Sequence, residues 1–262
     1  SPTSLITAVG PDASGRALLA HADEAGIDTR SVLLVDGAAS GTYTAVLDED
    51  GEMRVALADM AINDALTPAF FASRAPQRAG AALIVADLNL PHDAVAALLG
   101  DARAGGVPMV VVAVSEPKIN RLPRDLRGLR LLILNLGELA ERAGRAMDSE
   151  AAIARACANL QADGAQDVIV TRGAQGVMFT TPDGLRSLAA PAVDVVDVTG
   201  AGDAFAAAVC WSLYSGATSL DLACRRGLAL SAMTIGCAQT VCPQLAPGLL
   251  DEPADRQLPM TD

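Results

Sequence analysis

The chain has 262 residues, 51% of them apolar, enough to bury the core of one large α/β domain. A net charge of −12 leaves no excess of Lys and Arg to neutralise a phosphate backbone, and 3% aromatics leave few stacking surfaces. Nucleic acid and anionic membranes are therefore excluded as partners. A small phosphorylated ligand is not, provided that backbone N–H groups, a few placed cations and a metal hold it.

In chain order, "LITAV" (5–9) predicts a short strand and 11–26 a helix with Leu18, Leu19 and Ala22 on one face. Residues 41–59 read as a half-exposed ribbon of two strands about a turn at "DEDGE", with Gly51 in the bend. Buried strands follow at 81–87, 107–114 and 129–135. Pro91 takes the first position of the helix after the first of these, and Gly105-Gly106 sits at a helix C-cap. A helix over 149–164, a strand over 167–171 and a hairpin over 176–188 turning at Pro182, Asp183 and Gly184 come next. Two long helices, at about 203–215 and 219–237, close the pattern, with Thr218 and Asp221 at capping-box spacing before the second. The Pro- and Asp-rich end reads as a loosely held tail. Apolar strands alternating with helices predict a largely parallel sheet covered on both faces. Ligands of such sheets bind outside the carboxyl ends of the strands.

Cysteines stand at 157, 210, 224, 237 and 242, an odd number with no C-x-x-C and with both histidines distant in sequence. They read as reduced, buried thiols of a cytoplasmic protein rather than as a metal or redox pair. The first residues lack the basic and apolar regions of a signal peptide. The longest uncharged run, 227–250, is broken by Pro243 and Pro247 and makes a poor membrane span.

The predicted strand ends carry Asp87, Asn89, Ser115, Lys118, Asn135, Glu138, Thr171, Gly173, Gly176 and the stretch from Asp197 to Asp203. That is a polar, Gly-rich rim with carboxylates, suited to handling phosphate. Its sharpest part is "VVDVTGAGDAF" (195–205). Gly200, Ala201 and Gly202 let the backbone approach a ligand where the following helix leaves its first N–H groups unpaired, which makes an anion hole. The stretch is neither a G-x-x-x-x-G-K-[ST] loop nor a G-x-G-x-x-G fingerprint. A carboxylate inside such a hole repels an anion, but Asp203 fits a general base that takes a proton from an attacking hydroxyl. On spacing alone, an ordinary helix start with a favourable first-turn charge also fits. Lys118 reads as a surface lysine or a rim cation, and His92 as a first-turn helix residue.

"DVTGAGDAF" resembles the C-terminal signature of the ribokinase-like (PfkB) carbohydrate kinases. "AVGPDASGRALLAHADEAGIDT", "NLGEL" and "TRGAQGV" are similar to further family segments, so the resemblance spans about 5–250. It implies a single domain over 1–262: a three-layer α/β/α sandwich with a mostly parallel central sheet and a small β lid, part of it at 41–59. It implies ATP and Mg²⁺, and in many members K⁺, with a sugar or nucleoside as substrate and a homodimer as the assembly. By resemblance Asp203 is the catalytic base, and Gly200, Ala201 and Gly202 are the hole for the γ-phosphoryl group. Asn135 and Glu138 organise Mg²⁺ and phosphates through water, Thr171, Gly173 and Gly176 border the nucleotide, and Asp197 and Thr199 line a monovalent-cation site. The segments 55–68, 85–91, 114–122 and 240–250 are similar to the family's pseudouridine kinases, which implies transfer to a 5′-hydroxyl. A kinase for ribose, fructose or another nucleoside, and a nucleotide-binding relative without turnover, are the competing readings. The family's first strand with its sugar-binding Asp, and the Gly-Gly pair with a following Asn, have no counterpart here, so the chain is expected to start part-way into the domain.

Overall fold

The computed structural model describes residues 2–47, 53–217, 219–246 and 248–250. Short strands surround the first helix: β1 (Thr3–Ser4), β2 (Ala8–Val9), α1 (Ala13–Glu24), β3 (Ile27–Asp28) and β4 (Leu33–Leu34). β1 pairs with β3, and β2 with β4, both in parallel. The strand expected over 5–9 is thus cut to Ala8 and Val9. Leu18 is 55% exposed, because the inner stripe of α1 runs through Gly15 and Ala22 with Leu19 half-buried and leaves Leu18 at its margin.

Asp12 starts α1 and ties it to a distant loop. Its carboxylate accepts the Gly15 N–H at 2.7 Å, the Ser40 N–H at 2.7 Å and the Ser40 hydroxyl at 2.8 Å. Beyond Ser40, β5 (Thr42–Leu47) and β6 (Met53–Asp59) form an antiparallel ribbon in a sheet of its own. The turn expected at 48–52 lies outside the described residues. A 3₁₀ turn (Ala61–Ala65) and two short helices, α2 (Pro68–Ser73) and α3 (Ala75–Ala79), lead to the main sheet.

The main sheet and its covering helices alternate as β7 (Ile84–Asp87), α4 (His92–Gly105), β8 (Met109–Val112), β9 (Leu129–Asn135), α5 (Leu136–Ala143), α6 (Glu150–Ala162) and β10 (Asp167–Thr171). The hairpin of β11 (Val177–Thr181) and β12 (Gly184–Leu188) and two long helices, α7 (Ala201–Tyr214) and α8 (Leu220–Ile235), follow. The six strands lie in the order β12-β11-β10-β9-β8-β7, with β7 to β10 parallel and the last hairpin antiparallel. Alternate residues of each strand point to opposite faces. Val111, Leu132, Leu134, Val168 and Val170 join Leu98 and Leu99 of α4 and Ile153 and Leu160 of α6 in one core. Val110, Leu131, Ile133 and Ile169 join Phe205 and Val209 of α7 and Ala223 of α8 in the other. The architecture is therefore the expected three-layer α/β/α sandwich.

Three local expectations change. β7 is not a buried strand: among the described residues nothing pairs with its outer edge, and Val85 is 52% exposed. Pro91 is the N-cap of α4 rather than its first residue, with His92 beginning the helix. Ser219 caps α8, its side chain accepting the Leu222 N–H at 3.4 Å, while Thr218 lies outside the described residues. Residues 251–262, the expected tail, also lie outside them. Gly106 does close α4 in a left-handed conformation, with φ +72°. Burial pushes the Cys157 thiol up to about 11 and the Cys210 thiol up to about 12, so both stay protonated at neutral pH. Among the described residues, no helix is long and apolar enough to cross a membrane.

The hydrogen bonds to Asp12 hold its pKa down, from 3.8 to about 2. The folded chain therefore binds this proton less readily than the unfolded one, and the resulting stability is present above the unfolded value and lost as pH falls through the folded one. Asp12→Ala is expected to lower the thermal midpoint at neutral pH. The gap to the parent should narrow as pH drops from 3.8 towards 2, a course that calorimetric scans across that range would record.

Candidate active site

Strand register decides which of the predicted rim residues stand together. Thr171 is paired with Asn135 across β10 and β9, and Thr171 is also paired with Val177, itself opposite Leu188. The carboxyl ends of β9 and β10 and the exit of β12 thus share one edge. Gly173 opens a 3₁₀ turn (Gly173–Gln175) at that edge with φ +57°, and no atom lies within 4 Å of where a Cβ on it would stand. Gly176 is different. A Cβ there would lie 2.0 Å from the Leu188 carbonyl oxygen, so this glycine is needed for the close return of β12.

From β12 an extended stretch leads to Gly200, the N-cap of α7, at φ +83° and ψ −3°. This left-handed conformation is readily available only to glycine. A Cβ there would also meet the Thr240 oxygen and Cγ2, each at 2.7 Å. The Ala201 N–H reaches the Val198 carbonyl at 3.3 Å and the Ala204 N–H reaches the Gly200 carbonyl at 2.8 Å. Between them, the N–H groups of Gly202 and Asp203 have no acceptor among the described residues. A Cβ on Gly202 would meet nothing within 4 Å, so there is room at the positive end of α7 beside these free donors. The Asp203 side chain is exposed on the same turn and makes no hydrogen bond or ion pair among the described residues. Asp197 is committed locally: its carboxylate accepts the Thr199 N–H at 2.8 Å, and this bond, with that to the Thr199 hydroxyl, holds its pKa down. The N–H groups of Val196 and Asp197 both reach the Ile235 carbonyl, at 2.9 and 3.2 Å.

Asn135 and Glu138 form a reciprocal capping box at the start of α5. The Glu138 N–H donates to Asn135 Oδ1 at 2.9 Å, and the Asn135 N–H donates to Glu138 Oε2 at 2.7 Å. Glu138 is only 2% exposed, so it is not a solvated first-turn carboxylate. Burial pushes its pKa up, and the nearby Glu116 carboxylate adds to this. Glu116 is a rim residue that the strand-end reading did not include. Its Oε1 would stand 2.1 Å from a Cβ on Gly137, and Asn135 Oδ1 3.3 Å from the same point. Sequence offered no sign of this, because Glu116 is brought over α5 by a separate 3₁₀ turn (Glu116–Arg121). The carboxylate oxygens of Glu116 and Glu138 and the amide oxygen of Asn135 gather here, a ligand type that suits Mg²⁺ retaining much of its water.

Asp87, Asn89 and Lys118 form a second polar group at the end of β7. The Asn89 N–H donates to Asp87 Oδ1 at 2.8 Å, and the Asn89 side-chain amide to Asp87 Oδ2 at 3.0 Å. Lys118 Nζ donates to Asn89 Oδ1, and Arg121 Nη1 to the Asn89 carbonyl at 2.6 Å. Burial lowers the pKa of Lys118, so this lysine belongs to a partly buried network rather than to the open surface. Ser115 precedes the turn that bears Lys118, and His92 starts α4 as a first-turn residue.

A carboxyl group with a raised folded pKa favours its protonated form in the folded state. Stability therefore falls as pH rises from the usual value, 4.5, through the folded one. Glu138→Gln keeps the capping-box geometry and removes the charge. At neutral pH this variant should melt above the parent, with the difference fading below 4.5 in melting curves taken across pH.

Known proteins similar to this chain bear on its family and fold. Residues 1–245 match the model of the pfkB family carbohydrate kinases. A pseudouridine kinase of Escherichia coli (strain K12) is 31% identical over 245 residues, covering 92% of this chain and 77% of the relative. A carbohydrate kinase structure from Agrobacterium tumefaciens superposes with a TM-score of 0.79 at 27% identity, covering 96% of this chain and 80% of that one. The fold is also that of Arabidopsis thaliana ribokinase complexed with ribose and ATP, with a TM-score of 0.78 at 22% identity over 92% of this chain and 78% of that one. A ribokinase-like sandwich with open helix N–H groups and a carboxylate on one turn agrees with the match over 1–245: the chain belongs to the pfkB family of carbohydrate kinases, phosphotransferases that act on sugar and nucleoside hydroxyls.

Proposed function

We propose that this chain transfers the γ-phosphoryl group of ATP to the 5′-hydroxyl of pseudouridine, giving pseudouridine 5′-phosphate and ADP. The observation that carries the phosphoryl-transfer part is the head of α7, where the Gly202 and Asp203 N–H groups lack acceptors and the Asp203 carboxylate stands beside them. The substrate rests on the 31% identity to a pseudouridine kinase.

A loose phosphoryl-transfer transition state spreads charge over its equatorial oxygens and needs fixed donors more than covalent chemistry. The backbone N–H groups of Gly202 and Asp203, free among the described residues, supply those donors, while Gly200 and Ala201, expected as part of the hole, shape the turn, the Ala201 N–H being taken by the Val198 carbonyl. Asp203 takes the proton of the acceptor hydroxyl as its oxygen attacks phosphorus. Thr171, Gly173 and Gly176 border the nucleotide at the edge they share with Asn135. Glu138, with Asn135 and Glu116, would hold Mg²⁺ through water, and the ion supplies charge neutralisation on the phosphates. Asp197 and Thr199 flank a monovalent-cation site next to the anion hole, for which K⁺ is the candidate. On the β5–β6 ribbon, Val46 is paired with Val55, and Val55 and Leu57 lie on one face, all three exposed. This apolar face is read as the contact of a homodimer whose lid covers the substrate.

Asp203→Asn is expected to leave ATP affinity within about threefold while lowering turnover at least about 1,000-fold, within the range of general-base loss combined with misplacement of the hydroxyl. Titration calorimetry and coupled ADP assays read the two quantities, and retained turnover would sink the role of Asp203. An acceptor panel of pseudouridine, uridine, ribose and fructose with ATP and Mg²⁺ tests the substrate; no preference for pseudouridine would overturn that part alone. Leu57→Asp should shift the assembly from dimer to monomer in light scattering, and an unchanged mass would count against the ribbon contact.

A further inference from the structure

The sequence reading set Cys237 and Cys242 aside as buried thiols, but the fold brings them together. Their Sγ atoms lie 3.0 Å apart. The Cys242 thiol donates to Gln244 Oε1 at 2.8 Å, and the Cys237 thiol lies 3.2 Å from the Met233 carbonyl. Cys242 is buried and Cys237 is partly exposed, so one sulfur can meet a dissolved oxidant and the other waits behind it. Cys157 and Cys224 are both buried within helices on opposite faces of the main sheet, so neither has this arrangement.

What lies between the two sulfurs gives the pair its meaning. The loop from 237 to 242 carries Thr240, whose carbonyl oxygen and Cγ2 press on the α-carbon side of Gly200. The stretch leading into Gly200 is also held by the Ile235 carbonyl, which accepts the N–H groups of Val196 and Asp197. The head of α7 is thus clamped by a segment that begins at Ile235 and ends at Cys242.

We propose that Cys237 and Cys242 form a reversible disulfide whose closure tightens this loop against the anion-binding turn. The oxidant is a hydroperoxide. The Cys237 thiol gives up its proton and its thiolate attacks the outer peroxide oxygen; the O–O bond breaks and Cys237 becomes a sulfenic acid. The departing oxygen takes up the proton, leaving as water when the peroxide is hydrogen peroxide or as an alcohol when it is an organic hydroperoxide. The Cys242 sulfur then displaces the hydroxyl group as water, so that two thiols lose two electrons in all and one peroxide gains them. The bond draws the sulfurs to about 2.05 Å, roughly 1 Å nearer than the thiols stand. Thr240 sits mid-loop with its carbonyl oxygen and Cγ2 each 2.7 Å from where a Cβ on Gly200 would stand, so the proposed closure is transmitted to the turn through this approach. A misplacement of about 1 Å at a reacting centre can cost two orders of magnitude in rate. The effect on turnover rests on the kinase reading above, whereas bond formation does not.

The test starts from reduced protein with reductant removed, treated with hydrogen peroxide, unfolded, alkylated and mapped by mass spectrometry. Two of the five thiols should escape alkylation, joined in a peptide pair containing Cys237 and Cys242, and dithiothreitol should restore both. Five alkylated thiols, separate sulfinic adducts, or a bond to another cysteine would overturn the proposal. Amide hydrogen exchange across 200–204 should change at least threefold on oxidation, and an unchanged rate would overturn the link to the turn. Oxidation should lower phosphoryl transfer at least tenfold in the parent and under twofold in Cys237→Ser and Cys242→Ser, each checked for a parent-like melting curve. Oxidised parent that keeps full turnover would overturn the regulatory effect. Reduced parent without turnover on any acceptor would count against the kinase reading and leave the mapping and exchange results to decide the disulfide.

Discussion

Everything functional in this molecule follows from the central strands being buried on both faces. Neighbouring residues such as Leu131 and Leu132, or Val168 and Ile169, enter different cores, so the middle of each strand has no room for a polar side chain. Polar groups can gather only where the strands end. The parallel run of β7 to β10 puts those ends along one edge, and the antiparallel β11–β12 hairpin returns the chain to it. Polar residues that are scattered along the sequence therefore become one rim.

The rim is organised by backbone conformation as much as by side chains. At Asn135 a strand ends and a helix begins within one residue, and the reciprocal bonds with Glu138 make that change of direction stable. This gives the N-x-x-E spacing a structural cause independent of any ligand: it is the spacing of a capping box. Burying Glu138 costs free energy, and the fold tolerates it because one carboxylate oxygen is satisfied by the Asn135 N–H. At Gly200 the cause is steric. Only a residue without a Cβ fits at φ +83° so close to Thr240, and the helix that begins there leaves the Gly202 and Asp203 N–H groups without an acceptor among the described residues. The same packing that makes the turn precise also makes it sensitive to the segment lying on it.

Much of this was legible in the chain. The continuous apolar strands, the turn at Pro182 to Gly184, the C-cap at Gly106 and the glycine turn ahead of Asp203 are local signals, set by propensities that act within a few residues. What failed shares another cause. Whether β7 is central or at an edge depends on which strands pair with it, and Leu18 is exposed because of where α1 meets its neighbours. The cap of α8 was displaced by one position, from Thr218 to Ser219, since both residues carry a suitable hydroxyl and only geometry selects one.

By itself the sequence determined the order of elements, the two-sided burial of the central strands and the glycine turn that opens α7 before Asp203, because each depends on residue type and short spacing. Only the tertiary structure decided that Glu116 leans over Gly137, that Lys118 is held by Asn89, that Thr240 lies on Gly200, and that Cys237 meets Cys242. The physical reason is that contact between residues on different elements is fixed by packing and register. These have no signature in the spacing of any one segment.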